Sequence, residues 1–501
     1  MPSVAEVAAH NSRSSCWVIV AGHAYDVTDF LDEHPGGTRS ILRFAGRDAT
    51  AEYEPLHPPG TIETLPKDKH LGPVNGAPTT SNVTQTSAPS PSPSSLSPPA
   101  MQIQVPAVLP LSACMSLEDL AQVAAVKLSP RAAAYYNSGA ETRYSRDRNR
   151  RDWSRIGLRP RVLINVGPTP KMRANVMGFD SSLPVFIAPA AHARFGHPDG
   201  ELCLARTAAR MDIAQCVSTY ASVAAAGIAS EFFSDPYKRG AALFFQLYIP
   251  WVKKDAEKLI AVAKAARYQA LVVTVDAPVI GKRDDDAQFQ ALAAAAVDGD
   301  GSQSKEDTEN ESQALPPLPG QESGTLRAAH NATFEWSDLP WIRQCWGPEH
   351  PILLKGVQTA EDALLATQQV DADGKRLVDG IYLSNHGGRQ LDYAPTSVQT
   401  LLDLRRRAPQ VFGLLPVYVD GGVLRGTDVV KALCLGARAV GLGRGFLYAL
   451  SAYGTAGALR AVHILSDEIQ TTLRLLGVAD VAELDTRYLD LSEFGIERAK
   501  L

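Results

Sequence analysis

Gly380-Ile381-Tyr382-Leu383, followed at once by Ser384-Asn385-His386-Gly387-Gly388-Arg389-Gln390-Leu391-Asp392, is the stretch from which the rest of this 501-residue chain can be read. The apolar run reads as a short strand, and His386 stands at its far end. Two glycines then permit a tight turn that brings Arg389 back into the same space. Histidine suits proton transfer near neutral pH, and the planar guanidinium of arginine suits a carboxylate. A base and a carboxylate clamp three residues apart point to chemistry next to a carboxylate. Standing alone, the motif would be better taken as a polar strand-to-helix turn.

It recurs in kind along the chain. Eight apolar runs, most ending on polar or glycine-rich residues, lie between positions 183 and 444: Leu183–Ala191, Ile213–Thr219, Leu243–Ile249, Leu271–Pro278, Pro351–Val357, Gly380–His386, Pro416–Gly422 and Ala439–Arg444. Amphipathic stretches such as Val252–Arg267, Thr359–Gln369 and Thr427–Leu435 separate many of them. Near-continuous apolar strands alternating with helices predict a parallel sheet covered on both faces. Eight such units predict an α/β fold of the (β/α)8 (TIM) barrel type, with functional residues at the C-terminal strand ends. Gln246, Tyr248, Thr274, Asp276, Lys355, His386, Asp420 and Arg444 all fall there.

The last two units indicate what such a barrel would hold. Asp420-Gly421-Gly422-Val423-Leu424-Arg425-Gly426 opens a helix, and Gly441-Leu442-Gly443-Arg444 closes the eighth run. Backbone N–H groups at glycines, a helix N-terminus and two arginines form a phosphate cradle, at the place where barrels often bind phosphate. Because Arg389 already suits a carboxylate, a phosphate-bearing cofactor is a better reading than a phosphorylated substrate.

From about residue 101 to 501 the chain resembles the FMN-dependent 2-hydroxy-acid oxidising family. The resemblance rests on Tyr135-Tyr136-Asn137-Ser138-Gly139-Ala140, Ile187-Ala188-Pro189-Ala190, Phe245-Gln246-Leu247-Tyr248, Val273-Thr274-Val275-Asp276-Ala277-Pro278, Leu354-Lys355-Gly356-Val357, the His386 stretch and the Asp420 stretch, in family order. It implies His386 as the active-site base, with Asp276 orienting it and stabilising its protonated form. It implies Arg389 and Tyr135 on the substrate carboxylate, Tyr248 on the hydroxyl, and Arg283 as a second arginine nearby. Lys355 would lie against the pyrimidine end of FMN, and Ser218, Gln246 and Thr274 would hydrogen-bond the isoalloxazine. Asp420 would meet the ribityl chain, Gly422, Arg425, Gly443 and Arg444 the phosphate, and Ala188, Pro189, Ala190 and Gly421 would also bind the cofactor. His386 would take a proton either from carbon or from the hydroxyl as hydride leaves; the sequence does not choose.

The first hundred residues differ. Ser15-Cys16-Trp17-Val18-Ile19-Val20 through Asp29-Phe30 leads into His34-Pro35-Gly36-Gly37, and Glu54-Pro55-Leu56-His57 follows. This resembles a small α+β cytochrome b5-like domain, in which His34 and His57 match the axial haem ligands. No Cys-x-x-Cys-His occurs, so a non-covalent haem b is implied. The two halves in this order resemble the flavocytochrome b2 family of L-lactate dehydrogenases that use cytochrome c. The implied activity is oxidation of a small L-2-hydroxy acid, L-lactate foremost, with electrons passing from FMN to haem to an external acceptor. The alternatives are a glycolate or lactate oxidase using dioxygen and a non-catalytic haem-binding electron carrier. A homotetramer is implied by the relatives alone.

Domains are expected at 1–74 (haem), 75–100 (a Ser/Thr/Pro-rich disordered tether) and 101–501 (barrel), with an acidic, Pro-rich mobile insertion at about 298–324. Ala190 and His192 stand where relatives usually carry a hydroxyl and an apolar residue, and Tyr220 is bulky where relatives approach the substrate side chain, favouring small acids. A net charge of −5 gives no basic footprint for nucleic acid, though an acidic surface suits a basic acceptor. Six scattered cysteines form no close-spaced metal motif and suggest reduced thiols. No apolar run is long enough to span a membrane. The haem pattern begins within a few residues of Met1, which leaves no room for a presequence. The final Ala499-Lys500-Leu501 is a near match to a peroxisomal address, so cytoplasm and peroxisome stand level. The family resemblance also brings in the mitochondrial intermembrane space.

Overall fold

A computed structural model describes residues 1–34, 38–53, 57, 61–75, 108–298 and 330–496. The chain divides into two compact units, Met1–Gln102 and Ile103–Leu501. The expected tether after residue 75, the insertion at 299–324, the glycine pair Gly36-Gly37 and the terminal Ala499-Lys500-Leu501 lie outside the described residues.

In the first unit, strand Ser15–Val20 pairs antiparallel with His23–Asp26, which pairs in turn with His70–Pro73. The two-residue turn between the first pair is Ala21-Gly22, with φ of 49° and 78°. Both values match the twist of the flanking strands, as in a type I′ hairpin. Alternation divides the side chains into two layers. Cys16, Val18, Val20 and Tyr25 pack with Val27, Leu31, Ala45 and Ala49 on one face, and Ile19 and Ala24 pack with Val7 and Val74 on the other. Short helices Thr38–Leu42 and Thr50–Tyr53 complete an α+β arrangement.

The second unit is built on a closed parallel barrel of eight strands. These are β1 (Val185–Ile187), β2 (Ala214–Val217), β3 (Leu243–Leu247), β4 (Ala270–Thr274), β5 (Ile352–Val357), β6 (Gly380–Leu383), β7 (Val417–Val419) and β8 (Ala439–Leu442). Seven lie inside the apolar runs, and β4 begins one residue before the run at Leu271. Strand β8 closes on β1 through Val440↔Val185, Gly441↔Phe186 and Leu442↔Ile187. Small and large side chains fill the interior together: Ala214, Ala270 and Ala439 beside Phe186, Phe244, Tyr382 and Tyr418. The hairpin Ala174–Val176/Phe179–Ser181 adds Val176 and Met177 to this cluster, and the Met177 N–H donates to the Tyr418 hydroxyl at 2.8 Å. The interior is a packed core, so a ligand has room only at the strand tips. Helices Lys253–Ala265, Ala360–Thr367 and Gly426–Cys434 form where amphipathic stretches predicted them. The long C-terminal helix Arg444–Leu476 is broken at Tyr453-Gly454, where the backbone leaves helical geometry.

Candidate active site

The strand tips surround one cavity of about 1130 Å³, lined by Gln246, Tyr248, Thr274, Lys355, His386 and Asp420 among others. Tyr135, Arg283, Arg389 and Arg444 reach it from loops and helix ends.

His386 arrives by unusual backbone. His386, Gly387 and Gly388 have φ of 58°, 65° and 76°, three left-handed residues in succession. A Cβ on Gly388 would lie 2.3 Å from the Arg146 backbone nitrogen, so only glycine fits. A histidine at positive φ is uncommon and marks a functional position. Its N–H donates to Ser384 Oγ at 3.0 Å, and Lys355 Nζ donates to the same oxygen at 3.1 Å. The ring lies between two partners: Asp276 Oδ1 at 2.9 Å from Nδ1 and the Tyr248 hydroxyl at 3.0 Å from Nε2.

The electrostatics assign the protons. Burial lowers the His386 pKa, and Lys355 adds to this against the opposing pull of Asp276. Burial alone would raise Asp276, whose side chain is fully buried, but His386 and Lys355 outweigh it and leave the group below the ordinary carboxylate value. Burial, then Asp276, pushes the Tyr248 phenol well up. The resting state is therefore a carboxylate accepting Nδ1–H, a neutral imidazole and a phenol donating to Nε2. That nitrogen carries the lone pair a base needs.

Asp276 is positioned by a bulge in β5 between Lys355 and Val357. Gly356 has φ of 104°, and a Cβ there would stand 2.5 Å from Asp276 Cβ. Bulges beside active sites re-aim side chains in this way. Gly356→Ala is expected to cost ~1–3 kcal/mol in backbone strain and to move Asp276 off His386. Thermal unfolding together with turnover measures both, and a variant of unchanged stability and rate contradicts this role.

Next to the base stand two guanidiniums. Arg389 Nη1 donates to Tyr135 O at 2.7 Å and to Ser138 Oγ at 2.7 Å, with its Cζ 4.8 Å from the Tyr135 ring centre. Arg283 Nε donates to Arg389 O at 3.2 Å. Burial, then the Arg389 charge, lowers Arg283 to about 10. Among the described residues no carboxylate forms a salt bridge with either one. An uncompensated cation pair beside a base calls for a small anion.

The other end of the cavity fits a flavin mononucleotide. Arg444 donates to Gly387 O. Its pKa falls to about 10 through burial and then the Arg389 and Arg146 charges. A Cβ on Gly443 would meet nothing within 4 Å, so cation and open backbone together leave space for a phosphate. Asp420 Oδ2 accepts from the Tyr382 hydroxyl at 2.9 Å, whereas buried Oδ1 has no partner and suits a ligand hydroxyl. Ala188-Pro189-Ala190, Ser218, Gln246, Thr274, Gly421 and Gly422 line the same cavity. Gln246 Nε2 donates to Thr274 Oγ1 at 2.9 Å.

Arg425 is not brought there. Its guanidinium pairs with Glu118 at 3.0 Å and Glu468 at 2.9 Å, and it is not among the residues that line the cavity. Arg146 and Tyr448 line the cavity instead. Neither stood out in the sequence: Arg146 belongs to an arginine-rich helix, Tyr144–Ser154, whose charges resemble a solvated face. Reciprocal amide bonds between Asn149 and Asn385, at 2.7 and 2.9 Å, dock that helix on the His386 turn.

In the first unit the His34 and His57 rings have centres 6.1 Å apart. Two imidazole nitrogens sharing one metal at ~2 Å each set their ring centres roughly 6 Å apart, so the pair fits a single haem iron. His57 Nδ1 donates to Tyr53 O at 3.0 Å, which leaves Nε2 for the metal. Ile41, Leu42, Phe44, Ile62 and Leu65 remain only partly buried around the core, as a haem-binding crevice requires.

Comparison with known proteins identifies the family of each unit. The FMN-dependent dehydrogenase family model matches residues 124–491, and the cytochrome b5-like heme/steroid binding domain model matches residues 3–75. The chain is 37% identical to L-lactate dehydrogenase (cytochrome) of Wickerhamomyces anomalus, over 97% of this chain and 79% of that protein. It is 36% identical to glycolate oxidase 1 of Zea mays over 73% of this chain and 93% of that one. The recombinant flavin-binding domain of baker's yeast flavocytochrome b2 superposes with a TM-score of 0.64 at 33% identity, covering 79% of this chain and 90% of that domain. The chain belongs to the FMN-dependent dehydrogenase family, its barrel preceded by a cytochrome b5-like haem domain.

Proposed function

We propose that this enzyme oxidises a small L-2-hydroxy acid, L-lactate foremost, to the 2-oxo acid, and passes the electrons to its haem and then to an external acceptor such as cytochrome c. The observation that carries the reading is a neutral His386, backed by the Asp276 carboxylate, beside two guanidiniums that lack an acid. FMN, when bound, takes up the two electrons of the oxidation.

Arg389 and Arg283 hold the substrate carboxylate, with Tyr135 alongside. Fixing a reactant in this way can be worth ~7–11 kcal/mol in favourable cases. The Tyr248 hydroxyl meets the C2 hydroxyl, and His386 Nε2 accepts the proton that leaves the substrate. Asp276 then stabilises the imidazolium. Lys355, Asp420, Gly443 and Arg444 bind the cofactor, and His34 and His57 ligate the haem iron.

Only neutral imidazole can accept that proton, and its pKa is lowered. Activity should therefore persist below the free-histidine value of ~6.5 and fall only on further acidification. A kcat/KM profile with L-lactate reads this limb for the free enzyme; a limb above the free-histidine value contradicts it.

The deciding experiment is anaerobic rapid mixing with L-lactate, following flavin and haem absorbance separately. Flavin bleaching followed by haem reduction at a competent rate supports the relay. Bleaching with haem left oxidised favours a dioxygen-using oxidase, as the glycolate oxidase relatives would have it. The histidine pair at iron-sharing distance favours the relay. No helix among the described residues is long and apolar enough to cross a membrane. Cytosol and peroxisome are the proposed compartments, separable with a fluorescent protein fused ahead of the C-terminus. A homotetramer is the proposed assembly, testable by solution mass.

A further inference from the structure

One wall of the cavity is more polar than the methyl group of lactate requires. Tyr220, Tyr248 and His330 form a stack there, with His330 4.3 Å from Tyr248 at 13° and Tyr220 5.4 Å from Tyr248 at 26°, between ring centres. His330 is only 6% exposed. Its Nδ1 lies 2.9 Å from the Ala277 carbonyl and its Nε2 3.1 Å from the Tyr220 hydroxyl.

The proton positions follow from donor chemistry. A carbonyl only accepts, so Nδ1 bears the proton of the neutral ring. Nε2 must then accept, and Tyr220 commits its only hydrogen to it. The phenolic oxygen is left with lone pairs for a donor in the cavity. Tyr248 donates to His386 Nε2 in the resting state and has to turn that hydrogen away when the nitrogen takes the substrate's proton. The Tyr220 oxygen is thus a standing acceptor at the cavity wall, oriented by His330. Burial lowers the His330 pKa and keeps this arrangement in place.

We propose that the side-chain end of the site is built for L-2,3-dihydroxy acids, with the C2 hydroxyl on Tyr248 and the C3 hydroxyl donating to Tyr220. This rests on the hydroxy-acid reading of the site and narrows its substrate class. Tyr220 is 43% exposed, and a C3 hydroxyl supplies its oxygen with a donor that an apolar C3 substituent cannot. His330 acts as a positioning residue that turns the Tyr220 lone pairs toward the cavity.

The test is kcat/KM of the holoenzyme for L-glycerate and L-lactate, in the wild type and in Tyr220→Phe. The wild type should turn over L-glycerate alongside L-lactate, and the variant should lower the glycerate-to-lactate ratio by about five- to tenfold, the scale of one net hydrogen bond. General damage to the site affects both acids alike and cancels in the ratio. A ratio unmoved by Tyr220→Phe overturns the proposal, and so does a wild type that oxidises L-lactate but not L-glycerate, which decides even if the variant fails to fold. Turnover of L-lactate in either of these cases leaves the hydroxy-acid reading intact, whereas turnover of neither acid overturns both.

Discussion

His386→Gln should lower the rate of flavin reduction by L-lactate at least ~100-fold while FMN stays bound, the low end for losing one general base. Glutamine is near enough in size to fill the space and can still donate toward Asp276, but it has no nitrogen that accepts a proton at neutral pH. The cofactor should survive because its proposed anchors, Arg444, Gly443 and Asp420, do not depend on the imidazole. Flavin content of the purified variant and rapid-mixing traces with L-lactate give the two readouts. Near-normal reduction would remove His386 from its role as base. Loss of flavin would mean instead that the 386–388 turn supports the cradle, through the bond from Arg444 to Gly387 O.

The second large effect is expected in the first unit. His57→Ala should abolish haem binding and reduce cytochrome c reduction to background, with flavin reduction by L-lactate preserved. His57 is held by its Nδ1 bond to Tyr53 and by stacking on the Tyr53 ring at 4.2 Å, so its Nε2 is aimed before any metal arrives. Deleting one of two iron ligands removes that preset geometry. The partly buried Ile41, Leu42, Phe44, Ile62 and Leu65 would also lose the group that covers them, and the first unit should lose stability with its haem. Haem absorbance per chain, cytochrome c reduction and reduction of a small artificial acceptor separate these effects. A variant with full haem content would show that His57 is not a ligand.

The barrel was legible because a parallel strand covered on both faces has to be apolar along its length, and because function collects where such strands end. The chemistry at the tips was legible for the same reason: Gln246, Thr274, Lys355, His386 and Asp420 interrupt apolar runs at the places where the fold has a cavity. Features that depend on distant pairing were hidden. Nothing local reveals that Asn149 will meet Asn385 across 236 positions, or that His330 will stack on Tyr248. Arg425 shows the converse. Its place beside glycines and a helix start suggested phosphate, but Glu118 and Glu468, remote in sequence, claim its charge. Local motifs report what a residue can bind, and tertiary neighbours decide what it does bind.

The cation pair Arg283 and Arg389 has a consequence for how firmly the protein is folded. Two like charges brought together in a partly desolvated site oppose the compact state whenever no anion lies between them. A carboxylate ligand removes that opposition and binds the native chain alone. By linkage, saturating it at a hundred times Kd adds about 2.7 kcal/mol to stability. The enzyme should therefore melt at a higher temperature in the presence of the acids it recognises, even those it cannot oxidise. Thermal shift then becomes a way to rank carboxylates without any turnover.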